Sequence, residues 1–147
     1  MSFQIIKYAD AYREQVIQTW EASVRATHHF LAAADIAFYK TIVQSINFND
    51  LEVYCYVSDS GEVAGFLGVA EKKLEMLFLQ PAYIGKGIGK QLITFAIEQL
   101  QVQWVDVNEG NTQATAFYTK AGFTIIGRTE LDDAGKPYPI LKMQKMI

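Results

Sequence analysis

Residues Leu77–Lys90 read LFLQPAYIGKGIGK, and the fold prediction rests on them. The apolar start is typical of a buried strand, Pro81 ends that strand, and an amphipathic helix follows the glycines. Glycines at alternate positions let a backbone approach a ligand closely and direct several N–H groups at one point. Because a helix start adds unpaired N–H donors and the positive end of a dipole, this turn is predicted to hold phosphate. Its glycines and lysines are Gly85, Lys86, Gly87, Gly89 and Lys90.

Two common phosphate-binding motifs do not fit this turn. A P-loop requires glycine at position 84 and serine or threonine after Gly-Lys, where this chain has Ile84 and Gln91. The dinucleotide fingerprint requires a third glycine where this chain has Lys90. The phosphate ligand is therefore expected to belong to another class.

A second stretch, residues 107–123, reads VNEGNTQATAFYTKAGF. Together the two stretches resemble the motifs of the GNAT superfamily of N-acetyltransferases, which are Arg/Gln-x-x-Gly-x-Gly/Ala and Asn-x-x-Ala-x-x-Phe-Tyr-x-Lys-x-Gly-Phe. Gly87 and Gly89 fill the glycine places of the first motif, whereas Ile84 stands where arginine or glutamine is usual. This departure weakens one expected contact to the coenzyme and leaves the backbone cradle intact.

The order of elements extends the resemblance over nearly the whole chain. Hydrophobic periodicity predicts a strand, two helices, three strands, a helix, a strand, a helix and two strands, with Asp10 capping the first helix and Gly122 ending the last. The predicted strands are residues 4–8, 51–57, 63–70, 74–80, 102–107, 123–129 and 140–146. This is the GNAT order, which implies an α/β (α+β) fold with a mixed, mostly antiparallel sheet of about seven strands flanked by about four helices.

Composition predicts one domain spanning residues 1–147. A net charge of −3 disfavours a nucleic-acid-binding surface, and no apolar run approaches the ~20 residues that span a bilayer. The N-terminus shows no secretory signal pattern, and the single cysteine, Cys55, is compatible with a reducing cytoplasm. We therefore expect a cytoplasmic protein, a monomer or homodimer, without nucleic-acid, membrane or metal partners.

The resemblance implies acetyl-CoA as cosubstrate and an amine of a small molecule or protein as acceptor. The family binds the pantetheine arm along an exposed strand edge, like an added strand, and the diphosphate at the glycine turn. Carried over to this chain, the coenzyme contacts are Met76, Leu77, Phe78, Leu79, Ile84, Gly85, Lys86, Gly87, Ile88, Gly89, Lys90 and Asn111.

The resemblance also implies the catalytic groups. Tyr118 is predicted to be the general acid for the departing thiolate, although its place on an apolar helix face would also suit a core residue. Glu75 lies on the reactive strand, where the family sometimes has a water-linked carboxylate; a solvated strand residue is the alternative. A carboxylate, an imidazole or a water chain could each serve as the base.

Two further segments resemble a narrower subgroup of small bacterial GNAT enzymes. Residues 26–31 read ATHHFL and residues 132–139 read DDAGKPYP, and members of that subgroup often carry Thr-His-x-Phe and Lys-Pro-Tyr-Pro. His28, Glu21 and Tyr138 are therefore the candidate acceptor-binding residues. Two other classes of function stay open at this point: a coenzyme-A-binding regulatory domain without transfer activity, and a partner-binding domain without ligand.

Overall fold

The computed structural model describes residues 2–146, which form a seven-stranded sheet with α-helices on both faces. The strands are β1 Phe3–Lys7, β2 Glu52–Ser58, β3 Val63–Ala70, β4 Lys73–Leu79, β5 Trp104–Asn108, β6 Phe123–Thr129 and β7 Ile140–Lys145. The helices are α1 Arg13–Thr27, α2 Ala33–Ser45, α3 Ile88–Leu100 and α4 Thr112–Lys120. The predicted order of elements is confirmed. None of the helices within residues 2–146 is long and apolar enough to cross a membrane.

The sheet has the order β1-β2-β3-β4-β5-β7-β6, and its neighbours are antiparallel except for the parallel pair β4 and β5. The predicted mixed, mostly antiparallel sheet is thus confirmed. The interior strand β3, third in this order, is buried over nearly its whole length, because helices cover both faces of the sheet there.

Two hydrophobic clusters hold the helices against the sheet. On one face, α1 contributes Val16, Trp20 and Val24, which recur every fourth residue and so lie on one side of that helix. On the other face, α3 contributes Leu92 and Ala96 with the same spacing. The helical periodicity in the sequence therefore identifies the side of each helix that packs on the sheet.

The feature that shapes the site is the divergence of β4 from β5. Their pairing is confined to Lys73 with Trp104 and Leu74 with Val105. The register between β3 and β4 shifts at the next residue, so that Glu75 has no partner on β3 and forms the extra residue of a β-bulge. A bulge bends its strand and increases its twist. Beyond Glu75, β4 remains paired to β3 and leaves its other edge unpaired.

Several predicted strand ends differ from the structure by one residue, and two predicted element starts differ by two residues. The first α-helix begins at Arg13 after a 3₁₀ turn, and Asp10 does not cap it; its carboxylate instead accepts a hydrogen bond from the Asn49 side-chain amide at 2.9 Å. Strand β5 begins at Trp104 instead of residue 102, because the parallel partner β4 begins only at Lys73. The predicted left-handed residue after α4 is confirmed, with Gly122 at φ +103°.

Candidate active site

A narrow cavity of about 190 Å³, here called the strand opening, lies where β4 and β5 separate. Its walls are residues 74–78 of β4, residues 105–108 of β5, and side chains from α4 and the end of α1. The unpaired edge of β4 borders it, so backbone N–H and C=O groups are available there. Such an edge can pair with an extended ligand as with an additional strand.

The glycine turn has the geometry of an anion-binding helix start. Gly85 and Gly87 have φ of +81° and +83°, and Gly87 begins α3 without a side-chain cap. Within residues 2–146, the N–H groups from Gly85 to Lys90 make no hydrogen bond of ordinary geometry. Positive φ at these two positions requires glycine and turns consecutive N–H groups outward. Together with the dipole of α3, these donors favour a bound anion.

Asn111 connects α4 to the strand opening. It caps α4 by accepting a hydrogen bond from the N–H of Ala114 at 3.0 Å through Oδ1. Since Oδ1 is the acceptor, the amide NH₂ group remains to donate, and it has no partner within the described part of the chain. Asn111 lines the opening, so this donor is available to a ligand there.

Tyr118 combines a buried ring with an accessible hydroxyl. The ring packs edge-on against Phe117 and Phe123, and the residue is only 8% exposed. Among residues 2–146 the hydroxyl has no hydrogen-bond partner, yet no fully buried side-chain oxygen there lacks one. The hydroxyl is therefore not fully enclosed, and Tyr118 is one of the residues that line the strand opening. Burial raises the pKa of Tyr118 above its ordinary value, so the group keeps its proton at neutral pH.

A larger cavity of about 480 Å³, here called the acidic cavity, lies beside the strand opening. Its lining includes four carboxylates and, among the described residues, neither lysine nor arginine; the carboxylates are Glu75, Asp106, Asp132 and Asp133. Five residues line both cavities, so the two spaces meet: His28, Glu75, Phe78, Asp106 and Asn108. A ligand in one cavity can therefore react with a ligand in the other.

Asp106 is held between two lysines at the point where the cavities meet. Lys73 and Lys142 approach its carboxylate at 2.7 and 2.8 Å. Burial alone would raise the pKa of Asp106, but the hydrogen bonds from Lys142 and Lys73 outweigh it and lower this pKa. The carboxylate thus stays ionised and neutralised by its own partners.

The far wall of the acidic cavity is the loop between β6 and β7, which is fastened to α2. Tyr39 donates a hydrogen bond to Asp132, and Tyr138 donates one to Asp35. Lys136 adds an ion pair with Asp35 at 3.1 Å. Because these contacts join residues about 100 positions apart in the chain, the wall depends on the tertiary fold.

Residues 10–123 match the model of the Acetyltransferase (GNAT) family. The chain belongs to the GNAT family. It is similar to the peptidyl-lysine N-acetyltransferases YjaB of Salmonella typhimurium, with 39% identity over 88% of this chain and 89% of that one, and of Escherichia coli, with 35% identity over 88% of each.

Solved structures agree with this assignment. The apo-form of YjaB from Escherichia coli superposes with a TM-score of 0.90 at 32% identity, covering 99% of both chains. The PaiA N-acetyltransferase of Thermoplasma acidophilum, solved with coenzyme A, has the same fold, with a TM-score of 0.77 at 22% identity over the full length of both chains. The chain is therefore a GNAT N-acetyltransferase with acetyl-CoA as cosubstrate.

The structure brings seven of the seventeen predicted site residues to the two cavities, among them Tyr118, Glu75 and His28. Met76, Leu77 and Phe78 line the strand opening with Asn111 and Tyr118. Leu79 and Ile88, by contrast, pack with the core beside α3. Gly89 has ordinary φ, and a side chain there would meet Phe117 at 3.3 Å, so this glycine permits the contact of α3 with α4.

Two predicted acceptor-binding residues lie outside both cavities among the described residues. Glu21 is paired with Lys40 at 2.7 Å and with Arg25 at 2.9 Å, and these hydrogen bonds lower its pKa. The Tyr138 hydroxyl donates a hydrogen bond to Asp35 and accepts one from the Ala32 N–H. Tyr138 therefore holds the far wall in place and does not line the cavity. His28, the third candidate, lies where the cavities meet.

Sequence reasoning missed Asp106 and Asn108, which line both cavities from the end of β5. A signal for them was present, since polar residues at the carboxyl end of a parallel strand commonly face a ligand site. Only the pairing of β5 with β4, however, identifies that end as the one beside the bulge.

We expect Tyr138→Phe to raise the acceptor KM several-fold and to leave the affinity for acetyl-CoA unchanged. The variant keeps the ring and removes only the hydroxyl that fastens the far wall to Asp35. Steady-state kinetics with varied acceptor, together with a binding titration of acetyl-CoA, measure both effects. Tyr54→Phe is the matched control, because that ring packs on Phe95, away from both cavities. An unchanged acceptor KM in Tyr138→Phe would contradict this role.

Proposed function

We propose that this GNAT enzyme transfers the acetyl group of acetyl-CoA to the side-chain amine of a lysine in a peptide or protein. The diphosphate would bind the N–H groups of the glycine turn, and the pantetheine arm would follow the unpaired edge of β4, held by the Asn111 amide. This arrangement directs the thioester toward the point where the strand opening meets the acidic cavity.

The observation that carries the proposal is the junction of the two cavities. A lysine side chain is a long apolar stem with a terminal ammonium group, and the acidic cavity combines apolar walls such as Trp20, Val24 and Ile42 with carboxylates. Attraction of a cation to the carboxylates other than the lysine-paired Asp106, which are Glu75, Asp132 and Asp133, favours entry of the ammonium end. The names of the relatives from Salmonella typhimurium and Escherichia coli support the same acceptor class.

Glu75 is the group best placed to accept the proton of the amine. It is the bulge residue of β4, it is exposed, and it lines both cavities. A carboxylate there can remove the proton through a bridging water. His28 is half-buried, whereas Glu75 is exposed to the water that would carry the proton, so we assign the base role to Glu75. Burial and the neighbouring His29 lower the pKa of His28 to about 4, so its imidazole is neutral at neutral pH.

The reaction then proceeds by direct attack. The amine lone pair forms the C–N bond while the carbonyl π pair moves to oxygen, where an N–H of the β4 edge stabilises the negative charge. Collapse breaks the C–S bond, the sulfur leaves with the electron pair, and the Tyr118 hydroxyl supplies its proton. Glu75 has taken the first proton of the ammonium before attack; the proton left on the adduct nitrogen passes to solvent along the same water path, and solvent returns a proton to Tyr118. Because burial raises the pKa of Tyr118, the hydroxyl keeps its proton until the thiolate develops.

An acetylated cysteine intermediate does not suit this chain. The one cysteine, Cys55, is fully buried, and burial raises the pKa of its thiol to about 12. A thiol in that state is neither accessible nor nucleophilic. Direct transfer within a ternary complex is therefore the mechanism we assign.

Comparison of three acceptors tests the acceptor class. One is a peptide with a blocked N-terminus and a single lysine, the second a lysine-free peptide with a free N-terminus, and the third spermidine. We expect the blocked lysine peptide to have the highest kcat/KM, and the same peptide with arginine for lysine to be inert. A higher kcat/KM for the free N-terminus or for spermidine would overturn the lysine assignment.

A further inference from the structure

A chain of two hydrogen bonds lies at the end of α1. The Thr27 hydroxyl lies 2.7 Å from the carbonyl oxygen of Ser23, one helical turn earlier, and 2.8 Å from Nδ1 of His28. Both separations are those of hydrogen bonds, so each requires a hydrogen between the two atoms. The threonine hydroxyl has only one hydrogen to give.

These contacts determine the tautomer of His28. A carbonyl oxygen cannot donate, so the single hydroxyl hydrogen of Thr27 must lie on the bond to Ser23. The second bond then needs its hydrogen from the imidazole, which makes Nδ1 the protonated nitrogen. A neutral imidazole carries one N–H, so Nε2 is left with a lone pair.

The residue that carries Nε2 lies where the two cavities meet. His28 lines both cavities, and its ring lies near those of Phe30 and Phe78, at centroid distances of 5.4 and 6.4 Å. Within residues 2–146 Nε2 has no partner, although no fully buried side-chain nitrogen there lacks one. Nε2 is therefore not fully buried, and His28 lines both cavities.

We propose that Thr27 fixes His28 as the Nδ1–H tautomer so that Nε2 accepts a hydrogen bond from the acceptor amine and turns the amine lone pair toward the thioester. This role rests on the proposed function. As the C–N bond forms, the nitrogen becomes positively charged, so its remaining N–H groups donate more strongly and the bond to Nε2 tightens. The proton itself leaves through Glu75, and His28 stays neutral, consistent with its lowered pKa.

Thr27→Val tests the positioning role of Thr27, since valine keeps the shape of threonine and lacks the hydroxyl. Without that acceptor for Nδ1–H, the proton is expected to move to Nε2, and the amine then meets a donor in place of a lone pair. We expect kcat with the blocked lysine peptide to fall about three- to tenfold, the effect of one hydrogen bond. Affinity for acetyl-CoA should be unchanged, and Thr27→Ser, which keeps the hydroxyl, should restore kcat.

Nitrogen NMR of the labelled imidazoles, in the protein without substrate, measures the tautomer independently of turnover. The chain has two histidines, and His29→Gln identifies the signals of His28 by elimination. The expected result is Nδ1–H in the wild-type protein and in Thr27→Ser, and Nε2–H in Thr27→Val. A wild-type Nε2–H tautomer would overturn the inference.

Kinetics separate the remaining outcomes. A tautomer change in Thr27→Val with unaltered kcat would refute the orienting role, even though the hydrogen-bond chain itself is correct. If the wild-type protein acetylates none of the three acceptors, the proposed function fails and the orienting role fails with it, while the spectra still decide the tautomer. Loss of kcat in Thr27→Val without recovery in Thr27→Ser would assign Thr27 to packing and also refute the inference.

Discussion

Tyr118→Phe lowers kcat by about 10²–10⁴-fold if the hydroxyl protonates the departing thiolate, because general acid catalysis typically contributes that factor. Phenylalanine keeps the ring and its edge-on contacts with Phe117 and Phe123, so the fold and α4 should be preserved. Affinity for acetyl-CoA should barely change, since the hydroxyl acts on charge that develops only in the transition state. A turnover assay and a binding titration on this one variant measure both quantities.

The control for Tyr118→Phe is Tyr54→Phe, which removes a hydroxyl remote from both cavities and should retain wild-type kcat. A parallel loss of kcat and of acetyl-CoA affinity in Tyr118→Phe would show that the hydroxyl also binds the coenzyme. Full activity in that variant would refute the acid role and leave water as the proton source.

Gly87→Val is expected to weaken acetyl-CoA binding by about ten- to hundredfold, the equivalent of losing a hydrogen bond to a charged group. Gly87 has φ +83°, a conformation that a β-branched residue rarely adopts, so the turn must change and its N–H groups lose their common direction. A side chain built there meets no protein atom within 4 Å, so crowding inside the protein does not explain the loss.

Gly61→Val is a closely matched control for the backbone effect. Gly61 has φ +84°, also has nothing within 4 Å of an added side chain, and lies in the turn between β2 and β3. Both variants should lose comparable stability through strain, but Gly61→Val should bind acetyl-CoA like the wild-type protein. Equal Kd values for the two variants would show that the glycine turn does not hold the coenzyme.

Local patterns explain why so much of the fold could be predicted. Each helix carries its own buried stripe, such as Val16, Trp20 and Val24, and each strand is bounded by turn residues, so order and type of elements follow from neighbours in sequence. The glycine turn is equally local, because Gly85 and Gly87 need no distant contact to adopt positive φ.

The parts that escaped prediction depend on distant contacts. Asp10 was predicted to cap the first helix, but its carboxylate instead accepts a hydrogen bond from Asn49, which follows α2 in the chain. The ion pair of Glu21 with Lys40 on α2 likewise joins two helices and could not be predicted from either one. The bulge at Glu75 exists only through the register with β3, which no single strand reveals.

Gly89 illustrates an intermediate case between local and distant effects. Its place in the motif suggested contact with the phosphate, as for Gly87. Both positions hold glycine, but for different structural reasons. In the structure Gly89 lies in the first turn of α3, where its missing side chain makes room for Phe117 of α4. Which property of a glycine matters, its φ or its small size, depends on packing and cannot be read from spacing.

The central claim is direct transfer from bound acetyl-CoA to a lysine amine, and mass spectrometry tests it most directly. The protein is incubated first with acetyl-CoA alone and then with acetyl-CoA and the blocked lysine peptide. We predict that the protein alone gains no covalent acetyl group, and that the peptide gains one on its lysine while free coenzyme A accumulates in equal amount. An acetylated protein that passes its label to the peptide, or acetyl-CoA that binds and is never consumed, would contradict the account.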